Sequence, residues 1–190
     1  MIIPIGVDCG VADFLKRYNL RHVSSPFDWV VTYNGVSACI DDGFKHFIPI
    51  STDRINKYNI YFHHDFAPET YAADKVKYNR RIERFKSMLE SSTEEHIFIR
   101  KGHAPHHHGE HSGKYTVIKS DIEDVADLDR ILAIKYPSLK YKIILTVVCG
   151  KCYDPSNIYI SSDRVKIYNT VSAERNDEIF ETTIKKILKL

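Results

Sequence analysis

Four short apolar runs, 2–7, 96–100, 141–148 and 164–171, alternate with longer stretches whose apolar residues return at helical spacing. That alternation limits the fold more than any other feature. A strand that hands over to a helix before the next strand cannot close a tight hairpin, so successive strands lie parallel with the helices against their faces. Val11, Phe14, Leu15 and Tyr18 stand at i, i+3, i+4 and i+7 and predict a first helix. Tyr78, Ile82, Phe85 and Leu89 form one stripe over 73–90, with Lys77, Arg80, Arg81, Glu83 and Arg84 on the other faces. Val125, Leu128, Ile131 and Leu132 mark a helix over 121–136 that stops near Pro137. Phe180, Ile184, Ile187 and Leu188 share a face of the closing segment. A further helix is expected over 34–42, a short strand or ordered turn at 26–31, and a short buried segment ending in a polar turn at 59–66. The run YKIILTVV is apolar throughout, as a parallel strand covered on both faces must be. The expected fold is α/β: a single three-layer domain over 1–190, with a mainly parallel sheet flanked by helices.

Composition narrows the partners. The 27 Lys and Arg against 25 Asp and Glu give a formal charge of +2, and the basic residues are spread along the chain. No nucleic-acid partner is expected from such a balance. No apolar run approaches the ~20 residues of a membrane span. The N-terminus has no basic segment leading into a long apolar one, so a cytoplasmic protein with no membrane partner is expected. Cys9, Cys39, Cys149 and Cys152 are then expected to be reduced thiols. Nothing in the pattern sets the oligomeric state.

In an open parallel sheet, ligands gather where the strands end. Here those ends carry Asp8-Cys9-Gly10, then Arg100 with the loop KGHAPHHHGEH, then CGKC, then the region of Ser172 and Glu174. Cys9 lies at or just before a helix start, where free backbone N–H groups and the helix dipole favour a thiolate. Gly6 and Gly10 would permit the tight turn and leave the sulfur unshielded. A nucleophilic thiol needs a base within hydrogen-bond reach and a group that orients the base. His63, His64 and the histidines of 103–111 are candidate bases, with Asp28 and Asp65 as acidic orienters. The alternative for Cys9 is a small packed hydrophobe.

The residues PIGVDCGVADFLKRYNLRHVSSPFDWVV, followed by FHHDF, KYNRRIERF and IFIR, resemble a microbial family labelled papain-like cysteine peptidases. The matching positions are Gly6, Cys9, Arg21, Pro26 to Trp29, His64 to Phe66, Tyr78, Arg81, Arg84, Phe85 and Arg100. They span roughly residues 3 to 100. The resemblance implies a cysteine nucleophile, carried by Cys9. The Gly-x-x-Cys turn also looks like the nucleophile block of the Ser-Gly-Asn-His esterases, and with the repeated βα units it makes the expected fold flavodoxin-like or Ser-Gly-Asn-His-hydrolase-like rather than a true papain fold. Their C-terminal Asp-x-x-His is missing here, since no histidine follows His111. A catalytic histidine must then come from 63–64 or 103–111. On this footing His64 is expected as base, Asp28 or Asp65 as orienter, and Arg81 or Arg84 as the holder of an anionic substrate group. The arginines can equally line a solvated helix face or make structural ion pairs, and PFDW can be a tight turn with Trp29 in the core.

Two other functions remain open. The first is a non-catalytic module that binds an anionic ligand or glycan in a strand-end pocket lined by Arg81, Arg84, Arg100 and the histidines. The second is a zinc protein: His103, His106, His107, His108 and His111 share one loop, and Cys149 and Cys152 have the two-residue gap of zinc sites. His103, His106, His108, Cys149 and Cys152 are the ligand candidates. The hydrolase reading asks for no cofactor, only for a small-molecule, peptide or glycan substrate.

Overall fold

The computed structural model describes residues 1–32, 35–50, 52–103, 120–149, 162–171 and 177–190. In chain order the elements are β1 (Ile2–Pro4), α1 (Gly10–Arg17), β2 (Val31–Thr32), α2 (Val36–Asp41), β3 (Ile60–Tyr61) and α3 (Tyr71–Ser91). They continue with β4 (Glu95–His103), α4 (Asp121–Lys135), β5 (Lys140–Cys149), β6 (Val165–Val171) and α5 (Asp177–Leu188). Four strands form a sheet in the order β1-β4-β5-β6, and every pairing in it is parallel. The α/β expectation holds.

Alternation along the strands separates the two faces. Ile99 and Ile144 join Val11, Phe14 and Leu15 of α1 and Phe180 and Ile184 of α5 in one core. Their neighbours Phe98, Ile143 and Leu145 point the other way, into a larger core with residues of α2, α3 and α4. Helices therefore cover both faces of the sheet. The larger core is rich in rings: Phe27 stands 5.7 Å from both Phe47 and Phe85, and Phe62 stands 5.2 Å from Tyr78. The stripe read on α3 is buried as expected, through Tyr78, Ile82, Phe85 and Leu89. In α4, Ser120 accepts from the Glu123 N–H while the Glu123 carboxylate takes the Ser120 N–H, a reciprocal cap that fixes where the helix begins.

Three details sharpen or correct the sequence reading. The segment 26–31 is a turn leading into β2, which pairs antiparallel with β3 in a separate two-stranded ribbon. In PFDW it is Phe27 that enters the core; Trp29 is half-buried and lies under the Arg21 guanidinium, 5.8 Å from the ring centroid. Third, β4 does not end at Arg100. The register Lys101↔Thr146, Gly102↔Val147, His103↔Val148 carries it three residues further. Pairing with β5 overrides the polar character of those residues, and it moves Arg100 from a strand end into the protein interior.

Candidate active site at the carboxyl edge of the sheet

β1 keeps its ladder to β4 past its regular part, with the Ile5 N–H donating to Ile99 O and the Val7 N–H to Lys101 O, both at 2.9 Å. The chain then turns through Asp8 and Cys9 into α1. Asp8 Oδ1 accepts the Gly10 N–H at 2.9 Å, and Cys9 O accepts the Asp13 N–H at 2.9 Å. The Gly10 N–H, a candidate oxyanion donor beside the thiol, is thus already bonded. Lys101, 3% exposed, extends its ammonium beside this turn. Its Nζ lies 3.6 Å from Asp8 Oδ2 and 5.8 Å from the centre of the Phe180 ring.

The Cys9 thiol is half-buried. Burial pushes its pKa up, the adjacent Asp8 carboxylate adds to that, and Asp13 acts in the same direction. A hydrogen bond from its own backbone and the charge of Lys101 pull it down, but by less. The expectation that the helix start alone would hold a thiolate is therefore corrected. Two carboxylates accompany the dipole, and the resting group is the neutral thiol.

Behind this turn sits Arg100, with no exposed surface. Nε donates to Asp121 Oδ1 at 2.7 Å, and Nη1 to Ile5 O at 2.8 Å and Thr32 Oγ1 at 3.1 Å. Nη2 donates to Thr32 O at 2.5 Å and to Asp121 Oδ1. These bonds occupy all the donors a guanidinium has. Arg100 ties β1, β2, β4 and α4 together and has none left for a substrate. Gly102 leaves room for the Asp121 carboxylate, since a Cβ there would come within 2.8–2.9 Å of that side chain.

The other expected site residues do not converge on Cys9 through any bond. Among the described residues no hydrogen bond or ion pair joins Cys9, His64, Asp28 and Asp65 to one another. His64 is exposed in the turn after β3, its ring 4.7 Å from that of His63. Asp28 is fully buried and accepts from Arg21 Nε at 3.0 Å and from Arg21 Nη2. Burial outweighs this pairing and holds the Asp28 carboxyl above the usual range. Asp65 accepts from Tyr78 Oη at 2.7 Å and Lys77 Nζ at 2.5 Å. Arg81 is buried, with its guanidinium 4.9 Å over the Tyr78 ring. Exposed Arg84 reaches Ser24 O at 3.4 Å and borders a small apolar cavity with Met1, Pro4, Phe85 and Met88. That cavity lies at the start of β1, the end opposite to Cys9. Much of the motif thus serves as a brace between the 21–30 loop, the turn at 63–66 and α3.

Asp74 completes the brace. It accepts from the Phe66 N–H and Thr70 Oγ1 at 2.7 Å, and from Lys77 Nζ at 2.6 Å. Burial works to raise its pKa, but the bonds from Lys77, Thr70 and Phe66 together prevail and hold the carboxyl below its ordinary value. A depressed carboxyl stabilises the fold above the unfolded-state pKa, and that stability is lost as the pH falls through the folded-state one. Asp74→Asn is expected to cost about 1–3 kcal/mol at pH 7. Its deficit against wild type should shrink in thermal melts below about pH 4. A deficit independent of pH would show that charge is not what the brace uses.

The register sets the C-terminal ends of β4 and β5 side by side on the edge where Cys9 lies, with His103 opposite Val148 and Cys149 next in line. His106, His107, His108, His111 and Cys152 lie outside the described residues, as do the side chains of His103 and Cys149. Among the described residues, no three His, Cys, Asp or Glu side chains are grouped to hold a metal ion. The sequence reading missed Lys101 and Asp8. Asp8 carried a visible signal, a carboxylate two residues before a helix start; Lys101 looked like an ordinary loop cation once the strand was ended at Arg100.

Fold and site together define an α/β protein with a cysteine at the carboxyl edge of a parallel sheet. The chain belongs to the family described as "Putative papain-like cysteine peptidase", which it matches over residues 1–59 and 50–150. It is also 29% identical to "Uncharacterized protein R408" of Acanthamoeba polyphaga mimivirus, in an alignment covering 74% of this chain and 79% of that one. No solved structure matches it. No described helix is long and apolar enough to cross a membrane.

Proposed function

We propose that the protein is a cysteine-dependent hydrolase or acyl-transfer enzyme in which Cys9 attacks a carbonyl or ester carbon. The observation that carries this reading is the half-buried thiol at the handover from β1 to α1, on the edge where the parallel strands end. The family description supports a cysteine nucleophile without naming which cysteine. Sulfur adds to the carbonyl carbon as a base removes the thiol proton. The leaving group departs with a proton, and water or another acceptor then cleaves the thioester. A thiol that rests neutral needs its base during the attack itself, not as a standing ion pair. His64 is the base proposed, with Asp28 or Asp65 behind it. His103 is the second choice, because its backbone ends β4 on the same edge. The substrate is a small molecule, peptide or glycan with an acyl group. Arg81 remains the proposed anchor for any anionic part of it; Arg84 borders the cavity at the opposite end of β1 and is set aside for that role.

The test is a panel of activated esters and peptides read by turnover and by intact mass. Wild type should acquire an acyl adduct on Cys9, and Cys9→Ala should lose both adduct and turnover. His64→Ala should reduce turnover by about 10²–10⁴-fold. Turnover that survives Cys9→Ala, or a Cys9 that reacts no faster than buried Cys39, sinks the reading. The raised thiol favours a second one, a non-catalytic module in which Cys9 is a packing residue. It predicts no adduct with any acyl donor.

A further inference from the structure

At the end of β1 away from Cys9, a cavity of about 320 Å³, counting its open mouth, lies between β1, the 23–25 loop and α3. That volume is at the lower end for ligand sites. Met1, Ile3, Pro4, Val23, Phe85 and Met88 make its wall apolar, and both methionines of the chain are among them. Two donors interrupt this lining. The first is Arg84, whose hydrogen bond from Nη2 to Ser24 O at 3.4 Å is close to the limit for such a bond. Among the described residues Arg84 makes no other hydrogen bond and no ion pair, so the rest of its N–H donors are unused. The charges around it are committed elsewhere: Arg21 to Asp28 and Ser24 Oγ, Glu83 to Lys86, and Glu95 to Lys142. The second donor is the Ile2 N–H. The Ile97 N–H bonds to Met1 O and the Ile5 N–H to Ile99 O, so alternation along the parallel ladder turns the Ile2 N–H away from β4. The Ile2 side chain packs on the other face of the sheet, with the core of α1 and α5, which leaves its backbone for the cavity.

An apolar wall with a cation and a backbone N–H at its rim matches a short chain that ends in an anion. A neutral guest would leave Arg84 unused, and a cationic one would be repelled by it. We infer that this cavity is a binding site for a short-chain carboxylate. A chain of about four to six carbons lies against Met1, Phe85 and Met88, with the carboxylate on Arg84 and the Ile2 N–H. A free acid and the C-terminus of a peptide ending in an aliphatic residue share this chemistry. The site is separate from Cys9 and does not depend on the reading given to that thiol.

The experiment titrates full-length protein, isotope-labelled at the methionine methyls, with hexanoate and follows it by NMR. Both methyl resonances should shift and saturate, with a Kd of about 1 mM or tighter. From butanoate to hexanoate, binding should tighten by about threefold to fourfold for each added CH₂. Arg84→Gln changes an exposed side chain and should weaken hexanoate by about tenfold. Hexanol and hexylammonium should bind wild type more weakly than hexanoate by at least that factor. N-acetylleucine separates the two sources: binding tighter than hexanoate assigns the site to a peptide C-terminus, and weaker binding assigns it to a free acid. Unmoved methionine resonances overturn the site. So does hexanol that binds as tightly as hexanoate, or an Arg84→Gln protein with unchanged affinity. Neither hexanoate nor the methionine signals report on acylation of Cys9, so this result and the acyl-transfer result stand or fall separately.

Discussion

Replacing Arg100 with methionine is expected to cost about 3–5 kcal/mol of folding stability, the range for removing one partner of a buried ion pair. Methionine fills much of the space but donates nothing. It leaves the Asp121 carboxylate, Ile5 O and both oxygens of Thr32 without the donors they share. Asp121 lies in the first turn of α4, where the helix dipole recovers only a small part of the loss. Lysine is no substitute, because one ammonium cannot span four elements. Urea denaturation should show the midpoint falling with little change in slope. The double variant Arg100→Met/Asp121→Asn should recover part of the deficit, since it no longer buries the Asp121 charge without its Arg100 counter-charge. A single variant within about 0.5 kcal/mol of wild type would place Arg100 with ordinary surface positions and undo the structural role given to it.

Gly6→Ala should be nearly as damaging, for a steric reason. Gly6 has a φ of +100°, and a Cβ on it would stand 1.8 Å from Thr32 Oγ1 and 3.0 Å from Arg100 Nη1. Backbone strain of about 1–3 kcal/mol and overpacking of about the same size are expected together. The two parts can be separated. Thr32→Ala removes the oxygen but leaves the Thr32 Cβ at 3.2 Å, a contact a small shift can absorb. Gly6→Ala in that background should therefore cost less than in wild type. Equal costs in both backgrounds would assign the whole effect to the backbone. Residue 6 lies three positions before Cys9, so the wild-type background should also show altered alkylation of the thiol.

The rhythm of strands and helices was legible because burial on both faces makes a parallel strand apolar throughout, and β5 shows this in its sequence. The stripes of α1, α3 and α4 were legible for the same reason at helical spacing. What escaped was set by partners distant in the chain. The length of β4 depends on its register with β5, and ending it early turned Arg100 into a site residue. Arg21 had no readable role because its partner Asp28 meets it only after the 21–30 loop folds. Cys9 was found from its position between strand and helix. Its ionisation was not, because the burial that raises it is set by the folded surroundings, with the Asp8 carboxylate adding to it. The pairing of β2 with β3 involves two residues in each strand, too few to show a period.

The anchoring of β1 bears on how this chain behaves among copies of itself. β1 is the outermost strand of the parallel sheet, and an outermost strand invites another to add on. Here the invitation is withdrawn. Pro4 has no N–H to offer, and its carbonyl accepts from Ser25 Oγ at 3.3 Å. Ile5 O is taken by Arg100, and Val7 O accepts the Thr32 N–H at 2.7 Å. From Pro4 onwards the loop and ribbon that lie along β1 take up its carbonyls, so a fibre or a strand-swapped pair would find those groups already bonded within the chain.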